Sequence, residues 1–240
     1  MLALQTFGTV GVRIRGEVES QIQLVQPKRL ALLVYLAVAP PRRCRRRDQI
    51  VAMFWPGLDQ EHARGALSQA LRYLRRTLGD DAVITQGEEE AGLDRKVIEV
   101  DAVAFGALCD AGEFEEALDL YKGPFLDGFL VTDASPEYEQ WAADQRTALR
   151  QRATGAAETL VERAERASDL PTAVRWARRA AAIAPGNEAV TARLIRLLDQ
   201  TGDRAGALRT YEELRERLRD EFQVAPSHET QALIGRILER

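Results

Sequence analysis

The opening stretch of the chain alternates. Val10, Val12 and Ile14 are spaced by Gly11 and Arg13, with Arg15 following, the two-residue period of a half-buried strand. Thr6, Val18, Ile22, Leu24 and Val25 add β-branched or apolar positions, and Gly8, Gly11 and Gly16 punctuate them, so residues 1–26 predict two or three short antiparallel strands. The period then lengthens. Pro27 stands at a first helical position, where its missing N–H costs nothing, and leads into an apolar run over residues 30–39 that Pro40 and Pro41 stop. A second helix is expected to start between Arg46 and Asp48 and run to Trp55, halted by Pro56-Gly57. A third is expected over Gln60–Leu78, closed by Gly79. Its apolar positions Ala63, Leu67, Leu71, Leu74 and Leu78 recur every three or four residues as one stripe, and Arg64, Ser68, Arg72 and Arg75 line the adjacent face. Strand candidates at residues 83–85 and 96–100 flank a glycine-containing turn and predict a terminal hairpin. Strands, three helices and a hairpin are the plan of a winged helix, whose third helix enters the major groove.

From Asp101 onward the strand pattern disappears and Ala, Leu, Glu and Arg dominate. Helix breaks are expected at Gly112, Gly123-Pro124, Ser168-Asp169, Pro185-Gly186, Gly202-Asp203 and Pro226, with residues 136–166 forming one longer helix. An internal repeat is visible. The segments starting at Gly112, Ser168 and Gly202 share one frame, and the last two start 34 residues apart, the period of a tetratricopeptide helix pair. Ala117, Ala173 and Ala207 are the small residues that let paired helices approach, and pairs of this kind bury their apolar faces by stacking. The fold class expected is therefore mainly α: a winged helix over residues 1–100 and an all-α, tetratricopeptide-like domain over 101–240.

Charge supports that division. Residues 1–100 carry 15 basic and 12 acidic side chains, residues 101–240 carry 18 and 25, and the whole chain is at −4. Residues 28–76 alone hold eleven Lys/Arg against three acids, the electrostatic footprint of a nucleic-acid-binding face. Cys44 and Cys109 have no metal-ligand spacing, His62 and His228 are expected at the surface, and Cys109, Trp55, Trp141 and Trp176 are expected in the core. The apolar run at 30–39 is internal and about half the ~20 residues a membrane span needs, so a cytoplasmic protein without a membrane partner is expected. No glycine-rich phosphate loop or nucleophile elbow is present, so neither an enzyme nor a cofactor or metal site is expected.

The segments Lys28-Arg29-Leu30-Ala31-Leu32-Leu33, Arg47-Asp48-Gln49-Ile50 leading to Phe54-Trp55, and Ala63-Arg64-Gly65-Ala66-Leu67 running into Leu74-Arg75-Arg76-Thr77-Leu78-Gly79 occur in this order. Val100-Asp101-Ala102-Val103-Ala104-Phe105, then Tyr121-Lys122-Gly123-Pro124-Phe125-Leu126 and Glu139-Gln140-Trp141, follow. Together they resemble the bacterial transcriptional activator domain family, the SARP-type regulators that join a winged helix to a tetratricopeptide-like domain. The resemblance implies sequence-specific promoter binding, usually by paired protomers on direct repeats, and recruitment of RNA polymerase. Larger relatives continue into further domains, so the chain is also readable as part of a longer protein.

Arg64, Ser68, Gln69, Arg72 and Arg76 are the expected groove contacts, with Arg64 and Arg72 as base readers, because a guanidinium fork can donate twice to guanine. Arg75 shares that helix. Arg45, Arg46 and Arg47, with Arg42 and Arg43, are expected to hold phosphates at the start of the second helix. Tyr73 is placed either to reach a phosphate or to pack beneath the wing. The wing tip, Gly87-Glu88-Glu89-Glu90, is acidic, and Arg95 and Lys96 are expected to offset it from the hairpin's other end. The competing reading is a tetratricopeptide scaffold for protein partners, or the regulatory module of a larger signalling protein.

Overall fold

The computed structural model describes residues 1–14, 21–22, 26–38 and 44–239. Arg15, Gly16, Val18, Leu24, Val25, Ala39, Pro40, Pro41, Arg42 and Arg43, all used above, lie outside the described residues. β1 (Leu2–Gln5) pairs antiparallel with β2 (Gly11–Ile14), which pairs with β3 (Gln21–Ile22), as the alternation predicts. β7 (Ile98–Val100) completes this sheet, parallel to β1. A second sheet has the antiparallel order β4 (Cys44–Arg46), β6 (Glu90–Leu93), β5 (Val83–Gln86).

The second sheet corrects the expected hairpin. β5 turns back through Gly87 onto β6, not onto residues 96–100, of which 98–100 form β7 of the other sheet. β6 reads Glu-Ala-Gly-Leu and carries no β-branched residue, so its pattern was silent. Its small residues have a packing reason: Ala91 and Gly92 are buried where β6 passes beside α1 (Pro27–Val38). That helix is enclosed on every face, with all residues from Ala31 to Val38 buried. α2 (Arg47–Phe54) and α3 (Gln60–Leu78) follow at the expected positions.

By compactness the chain divides into residues 1–111 with 119–149, and residues 112–118 with 150–240. This cut differs from the boundary at residue 100 drawn from the sequence. In the first unit, α4 (Asp101–Ala111) follows β7 without a linker. The Asp101 carboxylate accepts from the backbone N–H groups of Thr6 (2.8 and 2.9 Å) and Phe7 (3.0 Å), and from the Thr6 hydroxyl. The Phe7 ring packs edge-on against Phe105 (5.4 Å) and tilted against Tyr121 (4.8 Å). Residues 121–126 then lie along the end of β1: the Gly8 N–H donates to the Pro124 carbonyl (2.9 Å) and the Leu126 N–H to the Thr6 carbonyl (2.9 Å). Glycine is required on both sides of this approach. Gly8 has φ +72°, and a Cβ on Gly123 would stand 3.3 Å from the Gly8 Cα.

α6 (Pro136–Arg166) supplies its first half to the same unit. Ser135 caps it, accepting from the Tyr138 N–H at 3.1 Å, and its own N–H donates to the Met53 carbonyl at 3.0 Å. Trp141 packs against Tyr35 (4.9 Å), and Tyr138 against Phe54 (5.0 Å). The Tyr138 hydroxyl is buried and meets no hydrogen-bond partner among the described residues, and burial pushes its pKa up. Tyr138→Phe is therefore expected to keep the protein's stability or raise it by up to about 1 kcal/mol, since it removes a desolvated donor and no bond. Urea midpoints of the two proteins check this.

The second unit holds most of α5 (Phe114–Leu120), the second half of α6, α7 (Leu170–Ile183), α8 (Glu188–Gln200), α9 (Arg204–Phe222) and α10 (His228–Leu238). The three repeat copies share a physical signature. Gly112, Ser168 and Gly202 all have left-handed backbones (φ +78°, +57° and +82°). The following Asp169 and Asp203 cap α7 and α9 by accepting from the N–H groups of Thr172 and Gly206. Ala117, Ala173 and Ala207 are each fully buried, as the repeat predicts.

Candidate nucleic-acid interface

α3 is held by one stripe and presents another. Asp59 caps its start by accepting from the His62 N–H (3.0 Å), and Gly79, at φ +102°, closes it. Ala63, Leu67, Ala70, Leu71, Leu74 and Leu78 are buried. At about 100° per residue, Gly65, Gln69, Arg72 and Arg76 fall opposite that stripe, and all four are exposed. Arg64, Ser68 and half-buried Arg75 occupy one flank, and Tyr73 the other. Among the described residues, Arg72, Arg75 and Arg76 form no ion pair; Arg64 does.

The Arg64 guanidinium donates to Asp48 at 2.8 Å, and both side chains are 47% exposed. Asp48 sits in the first turn of α2, where the helix dipole favours a carboxylate. The Arg64 hydrogen bond holds the Asp48 carboxyl below the usual carboxylate range, with Arg46 adding to the effect. The same bond raises Arg64, and Glu89 of the wing tip contributes. The wing is fastened here: the Arg47 N–H donates to the Glu89 carbonyl (2.8 Å), and Arg46 pairs across the sheet with Glu90.

The arginine run is thus partly structural. Arg45 and Arg46 lie on β4 rather than in a loop before α2, and Arg46 is exposed while Arg45 and Arg47 are half-buried. The Arg45 guanidinium stacks on the Tyr35 ring at 4.3 Å. Burial pushes the Tyr35 phenol pKa up, with Arg45 opposing the rise. The Nε atoms of Arg45 and Arg47 are buried without a hydrogen-bond partner among the described residues. Arg95 and Lys96 are not on the wing hairpin; both are exposed in the turn between β6 and β7. The described cation that the wing-tip Glu89 is seen to act on is Arg64 instead. Tyr73 points toward α1, where the Arg29 guanidinium stacks on its ring at 3.9 Å and Arg76 lies at 5.6 Å.

Sequence reasoning missed how Asp48, Glu89 and Arg29 are paired on this surface. Their partners are 16, 25 and 44 positions away, beyond any local spacing rule. Of the other expectations, Trp176 is buried and Trp55 and Trp141 half-buried, while His62 and His228 are exposed. Cys44 is the buried cysteine and Cys109 only partly so. Among the described residues no helix is long and apolar enough to cross a membrane, and no cluster of His, Cys, Asp or Glu is arranged to hold a metal.

The family model "Bacterial transcriptional activator domain" matches residues 99–238. The chain belongs to this family. The bacterial transcriptional activator domain begins at β7 and takes in the Asp101 anchor and the helical repeats. No curated protein matches the chain. A solved structure of Mycobacterium tuberculosis EmbR in complex with a low affinity phosphopeptide is similar over 99% of this chain and 65% of that one, at 20% identity and a TM-score of 0.64. The similarity shows a shared fold, and the chain spans 65% of that structure's length. A structure of MamA AMB-1 aligns over 58% of this chain and 79% of that one, at 18% identity and a TM-score of 0.29, too low to carry an argument.

Proposed function

We propose that this chain is a sequence-specific, double-stranded-DNA-binding transcriptional activator. α3 enters the major groove with Gln69, Arg72 and Arg76 leading. Arg64, Ser68 and Arg75 follow on one flank, and Arg46 holds phosphate beside them. Arg45 and Arg47 position that edge of the surface, and Tyr73 positions Arg29 and Arg76. Arg95 and Lys96, exposed beyond β6, are left to phosphate contact at the margin. The observation that carries this reading is the outward face of α3, which holds two guanidiniums without acidic partners among the described residues opposite a continuous buried stripe. The acidic helical domain faces RNA polymerase, and two protomers pair on repeated operator sites. No cofactor enters the mechanism, and the action is binding rather than catalysis.

The experiment is a salt titration on a duplex selected from random sequence by the protein itself. With about five cations neutralising phosphates, log affinity falls against log salt with a slope near −4 to −5. A slope flatter than about −2 would remove this surface from the binding face. In that case the scaffold reading gains, and the acidic wing tip beside Arg64 is the feature that favours it.

A further inference from the structure

The charge of the winged helix is lopsided across α3. On the wing side cations stand beside carboxylates: Arg64 is bonded to Asp48, Glu89 of the wing tip is close enough to raise Arg64 further, and Arg46 acts on Asp48. Glu88 and Glu89 are exposed at the tip. A duplex backbone laid along that edge would meet carboxylates first. On the α1 side there is no such match. Arg29, and Arg76 at that edge of the outward face, form no ion pair among the described residues, and the Tyr73 ring lies under Arg29 and near Arg76. Beside them a cleft of about 160 Å³ is lined by Gln26, Lys28, Arg29, Trp55, Gln69 and small residues of α3. Lys28 is fixed at its rim by donating to the Asp133 carbonyl at 3.1 Å.

The geometry points to the start of α1, with Arg29 stacked on Tyr73 and Lys28 beside it, as the principal phosphate clamp of this protein, with the wing standing clear of the duplex. This rests on the DNA-binding reading and says which edge of α3 grips the backbone. A planar guanidinium fits the role: stacking occupies one face and leaves its N–H edges free to fork a phosphate. The contact is to backbone, so it adds affinity without reading bases.

The test uses the full chain, the duplex it selects from random sequence, and an unselected duplex of equal length. Arg29→Ala is expected to weaken both complexes by a similar factor, about five- to tenfold near 0.1 M salt, and to flatten the salt slope by about 1. Arg29→Lys keeps the charge and is expected to keep the slope, while circular dichroism checks that both variants fold. Glu88→Ala with Glu89→Ala is expected to change affinity by less than about threefold, as distant screened charges do. Two outcomes overturn the inference: a folded Arg29→Ala protein with unchanged affinity and slope, or a tightening beyond about tenfold on removing the wing carboxylates. A wild-type protein that selects no duplex overturns the DNA-binding reading itself, so the two failures are distinguishable.

Discussion

Replacing Asp101 by Ala is expected to lower stability by about 3–4 kcal/mol, a loss that few single exposed-surface changes approach. One carboxylate serves three donors from β1's end: the Thr6 N–H, the Thr6 hydroxyl and the Phe7 N–H. Thr6 and Phe7 are both fully buried. Removing the acceptor strands those groups where water cannot reach them, and each stranded donor costs about 1–3 kcal/mol before relaxation. Asp101→Asn keeps one carbonyl oxygen but turns an N–H toward other N–H groups, so it should recover only part of the loss. Urea denaturation followed by far-ultraviolet circular dichroism measures both. A loss under about 1 kcal/mol for the Ala variant would mean that the anchor is redundant. Because Asp101 opens α4 while Thr6 and Phe7 directly follow β1, amide protons of both elements should lose protection together in the variant.

That anchor also marks where reading the sequence stopped. The 100–105 segment was recognisable as a junction, but nothing local to Asp101 pointed to Thr6, 95 positions earlier. What was legible depended on periodicity. α3 and the long α6 have the bounds their patterns predict, because a stripe repeated over many turns leaves little choice. The repeat register was equally legible, down to the buried alanines at 117, 173 and 207. Short strands were not. β4 is Cys-Arg-Arg and β6 is Glu-Ala-Gly-Leu, so their place in the sheet comes from tertiary packing, β6 beside α1 and β4 against β6 and α2, rather than from β propensity. The same limit applied to charge. The surplus of cations over residues 28–76 was countable in advance, but its pairing was not, since Asp48 and Arg64 meet only after α2 folds against α3.

The pairing changes which arginines matter most on DNA. Replacing Arg72 and Arg76 together by Ala is expected to reduce affinity for the selected duplex by at least about a hundredfold, since a well-placed guanidinium fork on a base contributes roughly 1–3 kcal/mol. Both side chains are exposed on the face opposite the core, so the folded state should keep its stability within about 0.5 kcal/mol. Arg64→Ala is expected to do less. Arg64 must surrender its Asp48 contact before it can engage DNA, and what it gains there is offset by what it leaves. Asp48→Asn should therefore act in the opposite direction, tightening binding to unselected duplex more than to the selected one, because a freed guanidinium adds phosphate attraction without adding discrimination. Side-by-side titrations of the three variants separate these roles. If Arg64→Ala proves the most damaging and the Arg72/Arg76 pair is dispensable, α3 meets the duplex on its wing flank, and its outward face is not the leading edge.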